Sequence, residues 1–127
     1  MTDDPRLDAR LLGGIAHFNA GDFDLAADAF EELFFEAVRD EIDFIRAFMQ
    51  VATGIHHVER NQFRAAIERL QEGVRVIDAI TNDRGYDFAR LRADVIALLP
   101  QIAARSRGAK ERIAWPRIAE RGRPRPQ

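Results

Sequence analysis

Between residues 22 and 38 the apolar side chains Phe23, Ala26, Ala27, Phe30, Leu33, Phe34, Ala37 and Val38 recur every three or four positions. That period follows the α-helical turn of about 3.6 residues and not the two-residue alternation of a strand, so the stretch predicts an amphipathic helix with one buried face. Four further segments carry the same spacing. The first opens with Asp3 or Asp4 as cap and Pro5 in its first turn, repeats Leu7, Leu11, Ile15 and Phe18, and stops at Gly21. The third, from about Asp40 to Glu59, is apolar around more than half its circumference, through Phe44, Ile45, Phe48, Met49, Val51, Ala52, Ile55 and Val58, and is expected to be the most buried. The fourth follows Asn61 as cap with Phe63, Ala66, Ile67, Leu70, Val74 and Ile77, and ends before the turn Asn82-Asp83-Arg84-Gly85. The fifth begins near Asp87 and carries Leu91, Val95, Ile96, Leu98 and Leu99 to Pro100, which ends or kinks it. No window alternates as a strand does, and the expected class is all-α: a compact bundle of about five helices.

The chain also repeats itself. A shift of 40 residues aligns Gly14 with Gly54, Phe23 with Phe63, Ala26 with Ala66 and Phe30 with Leu70. Helices one and two, and helices three and four, therefore read as two copies of one helical hairpin. The pattern weakly resembles a tetratricopeptide unit, but the helices are longer than a unit of about 34 residues allows and only two copies are visible. A bundle closed by the fifth helix is the expected arrangement. Gly13 and Gly14 lie inside the first helix, where each costs about 1 kcal/mol relative to Ala, so they are expected to admit the close approach of another backbone.

The formal charge of -2 conceals an asymmetry. Residues 102–127 hold eight Lys and Arg against two Glu, a net +6, which leaves -8 on the first 101 residues. Residues 1–101 are expected to form a single helical domain, followed by a basic Arg/Pro-rich and partly disordered tail with Pro116, Pro124 and Pro126. Such a tail can bind nucleic acid through phosphate contacts, or lie on the acidic body of its own or a neighbouring chain. Within it Trp115, followed by Pro116 and Ile118, is the candidate anchor to the body.

Composition removes several chemistries. With no cysteine, thiolate catalysis, Cys-ligated zinc and iron-sulfur clusters are excluded. The N-terminal residues are acidic, and the first apolar stretch, at residues 11–16, is broken by Gly13 and Gly14. Neither a secretion signal nor a membrane span is expected, and the protein is expected in the cytoplasm. Lys110 is the only lysine and no Gly-rich run precedes it, so a phosphate-binding loop is absent. Ser106 is the only serine and lacks a nucleophile-elbow setting. The acidic body argues against a helix-turn-helix DNA reader.

The string Phe18-Asn19-Ala20-Gly21-Asp22-Phe23, followed by Ala26, Glu31-Glu32, Gln50, Ala52 and His56-His57, resembles a bacterial family known as domain of unknown function 309. The resemblance covers roughly residues 11 to 80. In that family an FNxG turn leads through a spacer to a His-Glu pair, then a Glu and a Trp, and a Gln-containing apolar helix leads into an Arg-Gly-Asn turn. Here Ala27-Asp28 stands in place of the His-Glu pair, Phe34 in place of the Trp, and Arg60-Asn61-Gln62 in place of the second turn. The resemblance implies a compact all-helical domain, marks Asn19 and Gly21 as the motif turn, and lends no activity.

The remaining polar residues suggest one cluster. At about 100° per residue, Asp28 and Glu31 share a flank of the second helix beside Phe35, and Gln50 and His57 share a flank of the third. Were those flanks to face each other, two carboxylates and an imidazole would meet, the minimum for a divalent metal site or for acid-base chemistry. The spacing lacks the Glu-x-x-His of di-iron bundles and the His-Glu-x-x-His of zinc proteases. A structural hydrogen-bonded cluster is therefore favoured, no metal site is assigned and no cofactor is expected. His56 falls in the middle of the apolar face and is expected in the core, Asn19 is expected to act as a helix stop, and Phe30, Phe34, Phe48 and Met49 either fill the core or line an apolar pocket. The function these features favour is a non-enzymatic protein-interaction or scaffold module, with a protein partner or self-association and no membrane. The alternatives are a metal-dependent or acid-base enzyme using Asp28, Glu31, Gln50 and His57, and non-specific nucleic-acid association through the Arg-rich tail.

Overall fold

Five helices follow one another among the described residues: α1 Pro5–Ala20, α2 Phe23–Glu36, α3 Ile42–Glu59, α4 Phe63–Ala79 and α5 Phe88–Ser106. The computed structural model describes residues 5–38 and 41–122, with only the helical backbone for residues 5–8. Asp3, Asp4 and Asp40, expected at helix starts, lie outside the described residues. Each helix packs on its neighbour in sequence, α1 on α2, α2 on α3, α3 on α4 and α4 on α5. The class is all-α. The described residues form no strand, only an isolated antiparallel bridge between Tyr86 and Glu120. No described helix is long and apolar enough to cross a membrane.

Two reversals of the same geometry close the first four helices into hairpins. Gly21 has φ 88° and Asn61 has φ 59°, the left-handed region that Gly enters freely and Asn tolerates. In the first reversal the Gly21 N–H donates to Phe18 O at 3.1 Å and the Asp22 N–H to His17 O at 2.9 Å. In the second, Asn61 N–H donates to Val58 O at 3.0 Å and Gln62 N–H to His57 O at 2.8 Å. Both close otherwise unpaired helix-end carbonyls in the Schellman pattern. The 40-residue echo is thus a repeat of backbone geometry as well as of sequence. Asn61 is not the cap of α4: Gln62 takes that position, because the left-handed residue of the turn needs Asn more than the cap does.

Inside each hairpin one glycine sets how closely the helices meet. A Cβ on Gly14 would lie 2.8 Å from Cε1 of Phe30, and one on Gly54 would lie 2.7 Å from Cγ of Leu70. These are the residues paired by the 40-residue shift. The glycines chiefly admit a neighbouring side chain, and not the neighbouring backbone that their place in a helix suggests. Gly13 admits nothing: it is exposed, and a Cβ there would meet no atom within 4 Å.

α3 is the most buried helix, as expected, because it packs on both α2 and α4. Phe48 on α3 gathers the aromatic core, its ring 5.4 Å from Phe30, 5.3 Å from Tyr86, 5.2 Å from Phe88 and 6.2 Å from Phe44. Aromatic pairs at such distances contribute about 0.5–1.5 kcal/mol each beyond the area they bury. Phe30 and Phe48 fill the space between α2 and α3 with each other.

α5 starts at Asp87, whose carboxylate accepts the Arg90 N–H at 3.0 Å as a side-chain cap. It does not end at Pro100 but continues to Ser106. Pro100 and Ile96, the residue whose carbonyl loses its partner, are both exposed, so water can take the freed oxygen. The change in composition at residue 102 therefore falls inside a helix. Beyond Gly108, with φ 96°, residues 109–121 run back over the body as an irregular strap. Ile113, Pro116 and Ile118 are buried, and the half-buried Trp115 packs edge-on against Phe23 at 5.6 Å. Main-chain bonds from Asp87 N–H to Ala119 O and from Arg121 N–H to Gly85 O, with an ion pair between Arg121 and Asp83, secure its far end.

The glycine contacts make a direct stability prediction. Gly14→Ala and Gly54→Ala should each lower unfolding free energy by about 1–3 kcal/mol through overpacking, whereas Gly13→Ala should raise it by about 0.5–1 kcal/mol. Urea denaturation with unchanged m-values measures all three.

Candidate functional site

The residues of the motif turn make a polar contact across 99 positions of the chain. Asn19, in the last turn of α1, donates from Nδ2 to Ile118 O at 2.9 Å and accepts the Ile118 N–H on Oδ1 at 2.8 Å. One side chain thereby satisfies both main-chain groups of a residue 99 positions away, as a neighbouring strand would. Arg117 adds a bond from Nη1 to the Asn19 carbonyl at 3.1 Å. Asn19 does not stop α1 by bonding nearby backbone, as its place in the sequence suggests; its amide is turned outward to the strap, and Gly21 supplies the stop. Trp115, the expected anchor, lies against Phe23 two residues beyond Gly21.

A second feature lies on the outer face of α2. Asp28, Glu31, Glu32 and Phe35 line an open surface hollow. The Phe35 ring is 76% exposed, with Leu25 and Val38 also exposed on and just after the same helix. Its neighbour Phe34 turns inward and carries the Arg46 guanidinium over its ring at 5.5 Å. Glu36 pairs with Arg10, but Asp24, Asp28, Glu31 and Glu32 are exposed without an ion pair among the described residues.

Gln50 and His57 lie elsewhere. Gln50 is buried and accepts a bond from Arg69 Nη1 of α4 at 3.2 Å. His57 Nδ1 lies 2.7 Å from Oε1 of Gln62, in the turn between α3 and α4. The polar flank of α3 therefore turns toward α4, while Asp28 and Glu31 look outward from α2. The structure brings Asp28 together with Glu31 and keeps both apart from the pair on α3. His56 is half-exposed beside Glu59 at 3.4 Å and not in the core. Among the described residues no group of three or more His, Asp or Glu is gathered that could hold a metal ion.

Glu41 is a buried carboxylate that sequence reading passes over. It is 1% exposed just before α3, and its Oε1 accepts the Val38 N–H at 3.4 Å. Nothing in its spacing distinguishes it from the solvated acids around it; only the fold of the connection between α2 and α3 buries it.

Residues 11–68, from α1 into the first half of α4, match the family model described as Domain of unknown function (DUF309). The match ends within α4, short of the residue 80 that the motif resemblance reached, and it excludes the strap. No curated protein and no solved structure matches the chain.

The separation of the four polar residues is testable by a double-mutant cycle. Glu31→Gln and His57→Ala should be additive in unfolding free energy to within about 0.5 kcal/mol, while a coupling of about 1 kcal/mol or more would place them in one cluster.

Proposed function

We propose that the protein is a non-enzymatic, cytoplasmic interaction module that docks a basic protein surface on the outer face of α2. The observation that carries this reading is Phe35, 76% exposed among carboxylates that have no ion pair within the described residues. Scattered exposed apolar residues are ordinary, but a large aromatic in a hollow has the form of an interface anchor. The acidic rim selects a cationic partner and speeds its encounter. Leu25 and Val38 are further exposed apolar residues on and just after the same helix.

The chain itself carries a complementary surface. Arg107, Lys110, Arg112 and Arg117 are exposed and have no ion pair among the described residues. A second copy can therefore present cations to the α2 carboxylates, and the +6 of residues 102–127 against the -8 of residues 1–101 favours that pairing. Self-association is the direct test. Sedimentation velocity at low salt should show mass rising with concentration, and high salt should weaken the association. Phe35→Asp should weaken it by about 2 kcal/mol or more, roughly thirtyfold in Kd. A monomer at every concentration, or an association untouched by Phe35→Asp, would contradict the reading.

A further inference from the structure

Residues 115–118 lie on the α1–α2 turn, Trp115 against Phe23 and Ile118 on Asn19. We propose that this turn, residues 18–23, is a binding notch for an extended protein segment, filled here by the chain's own strap and open to a partner segment with the same anchors. Asn19 reads main chain alone, through both polar groups of Ile118, so it accepts any residue there that is extended. Selectivity comes from the side chains: Trp115 against Phe23, buried Pro116 and buried Ile118. The ligand is thus a segment without regular structure that carries an aromatic residue followed by proline, and a branched apolar residue three beyond the aromatic. Proline at that point holds its own φ and lowers the ordering cost of binding.

Three observations separate the strap from the body that holds it. α5 closes its own end, with Gly108 N–H to Arg105 O at 3.0 Å and Ala109 N–H to Ala104 O at 3.0 Å, so release of the strap leaves the helix capped. Between residues 110 and 118 the described strap makes no main-chain to main-chain bond to the body; Asn19, Arg105 and the apolar anchors hold it. The notch lies inside residues 11–68, which match the family model, and its occupant lies outside. The second turn is an internal comparison. It has the same backbone geometry, but the counterpart of Asn19 is Glu59, which pairs with His56 and presents no amide. The amide, and not the turn alone, makes the notch.

Trp115 is the only tryptophan, so its emission reports the strap in the unmodified chain. The probe is a synthetic peptide of residues 109–122 with Trp115→Phe, and the control is its scrambled form. A tethered strap competes at an effective concentration in the millimolar range, so the peptide should red-shift Trp115 emission with a midpoint of about 1 mM, and the scrambled form should not. In the full chain carrying Ile118→Ser the notch is more often vacant, and a dye-labelled peptide of the native sequence should bind on the order of tenfold more tightly than to wild type. Adding Asn19→Ala to that variant should remove the gain. The proposal is overturned if the peptide neither shifts Trp115 emission nor binds the folded Ile118→Ser chain, if the scrambled peptide acts equally, or if Asn19→Ala has no effect. Loss of helical circular dichroism on Ile118→Ser would also overturn it, by making the strap part of the core.

Discussion

A residue in the left-handed region at position 21, and again at position 61, decides how this chain packs. Most residues pay about 1–2 kcal/mol to stand there, so the position goes to Gly in one copy and Asn in the other. Each reversal turns the next helix back along the previous one, and the glycine seven residues before it, Gly14 or Gly54, then faces Phe30 or Leu70. Those two large side chains, both fully buried, seat in the notches that the missing Cβ atoms leave. α2 and α3 meet across the two hairpins, and Phe48 joins Phe30 on one side to Phe88 on the other. Helix packing here follows from turn geometry first and from apolar area second.

The same reversal creates the surface chemistry. By halting α1 just after Asn19, Gly21 leaves an amide at the helix end, free of the helix's own bonding and within reach of the returning strap. The strap in turn buries Ile113 and Ile118 and carries Arg112 and Arg117 outward. Phe35 lies twelve residues along α2 from Phe23, about 18 Å at about 1.5 Å per residue, so the acidic apolar face and the strap-filled turn are distinct places on one helix. The two surfaces carry opposite charge and do not pair with each other within the described chain.

Much of the architecture is legible in the sequence because it is local. The three-and-four spacing of Phe23, Ala26, Phe30 and Leu33 can only bury one side of a helix, and all four are buried. The 40-residue echo is equally visible, since Gly14 with Phe30 and Gly54 with Leu70 are each contacts within one hairpin. Where sequence and structure part, the cause is distance or solvent. Asn61 suits either a cap or a left-handed turn, and only the bond from Gln62 to His57 decides between them. Pro100 breaks a buried helix but is tolerated where Ile96 and its carbonyl face water. The four-residue polar cluster does not form because helical phase places Gln50 and His57 on one flank without saying whether that flank meets α2 or α4. The bond between Asn19 and Ile118 has no local signal at all, since its partners are 99 residues apart.

Asn19 holds the main chain of the strap, and amide hydrogen exchange at Ile118 reads that bond. Its N–H donates to the Asn19 amide oxygen at 2.8 Å and to nothing in the main chain of the body. Ile118 should be protected in the native chain, and Asn19→Ala should remove this protection while the amides of α3 keep theirs. An Ile118 amide that exchanges at the unprotected rate in the native chain, or that stays protected without Asn19, would contradict it.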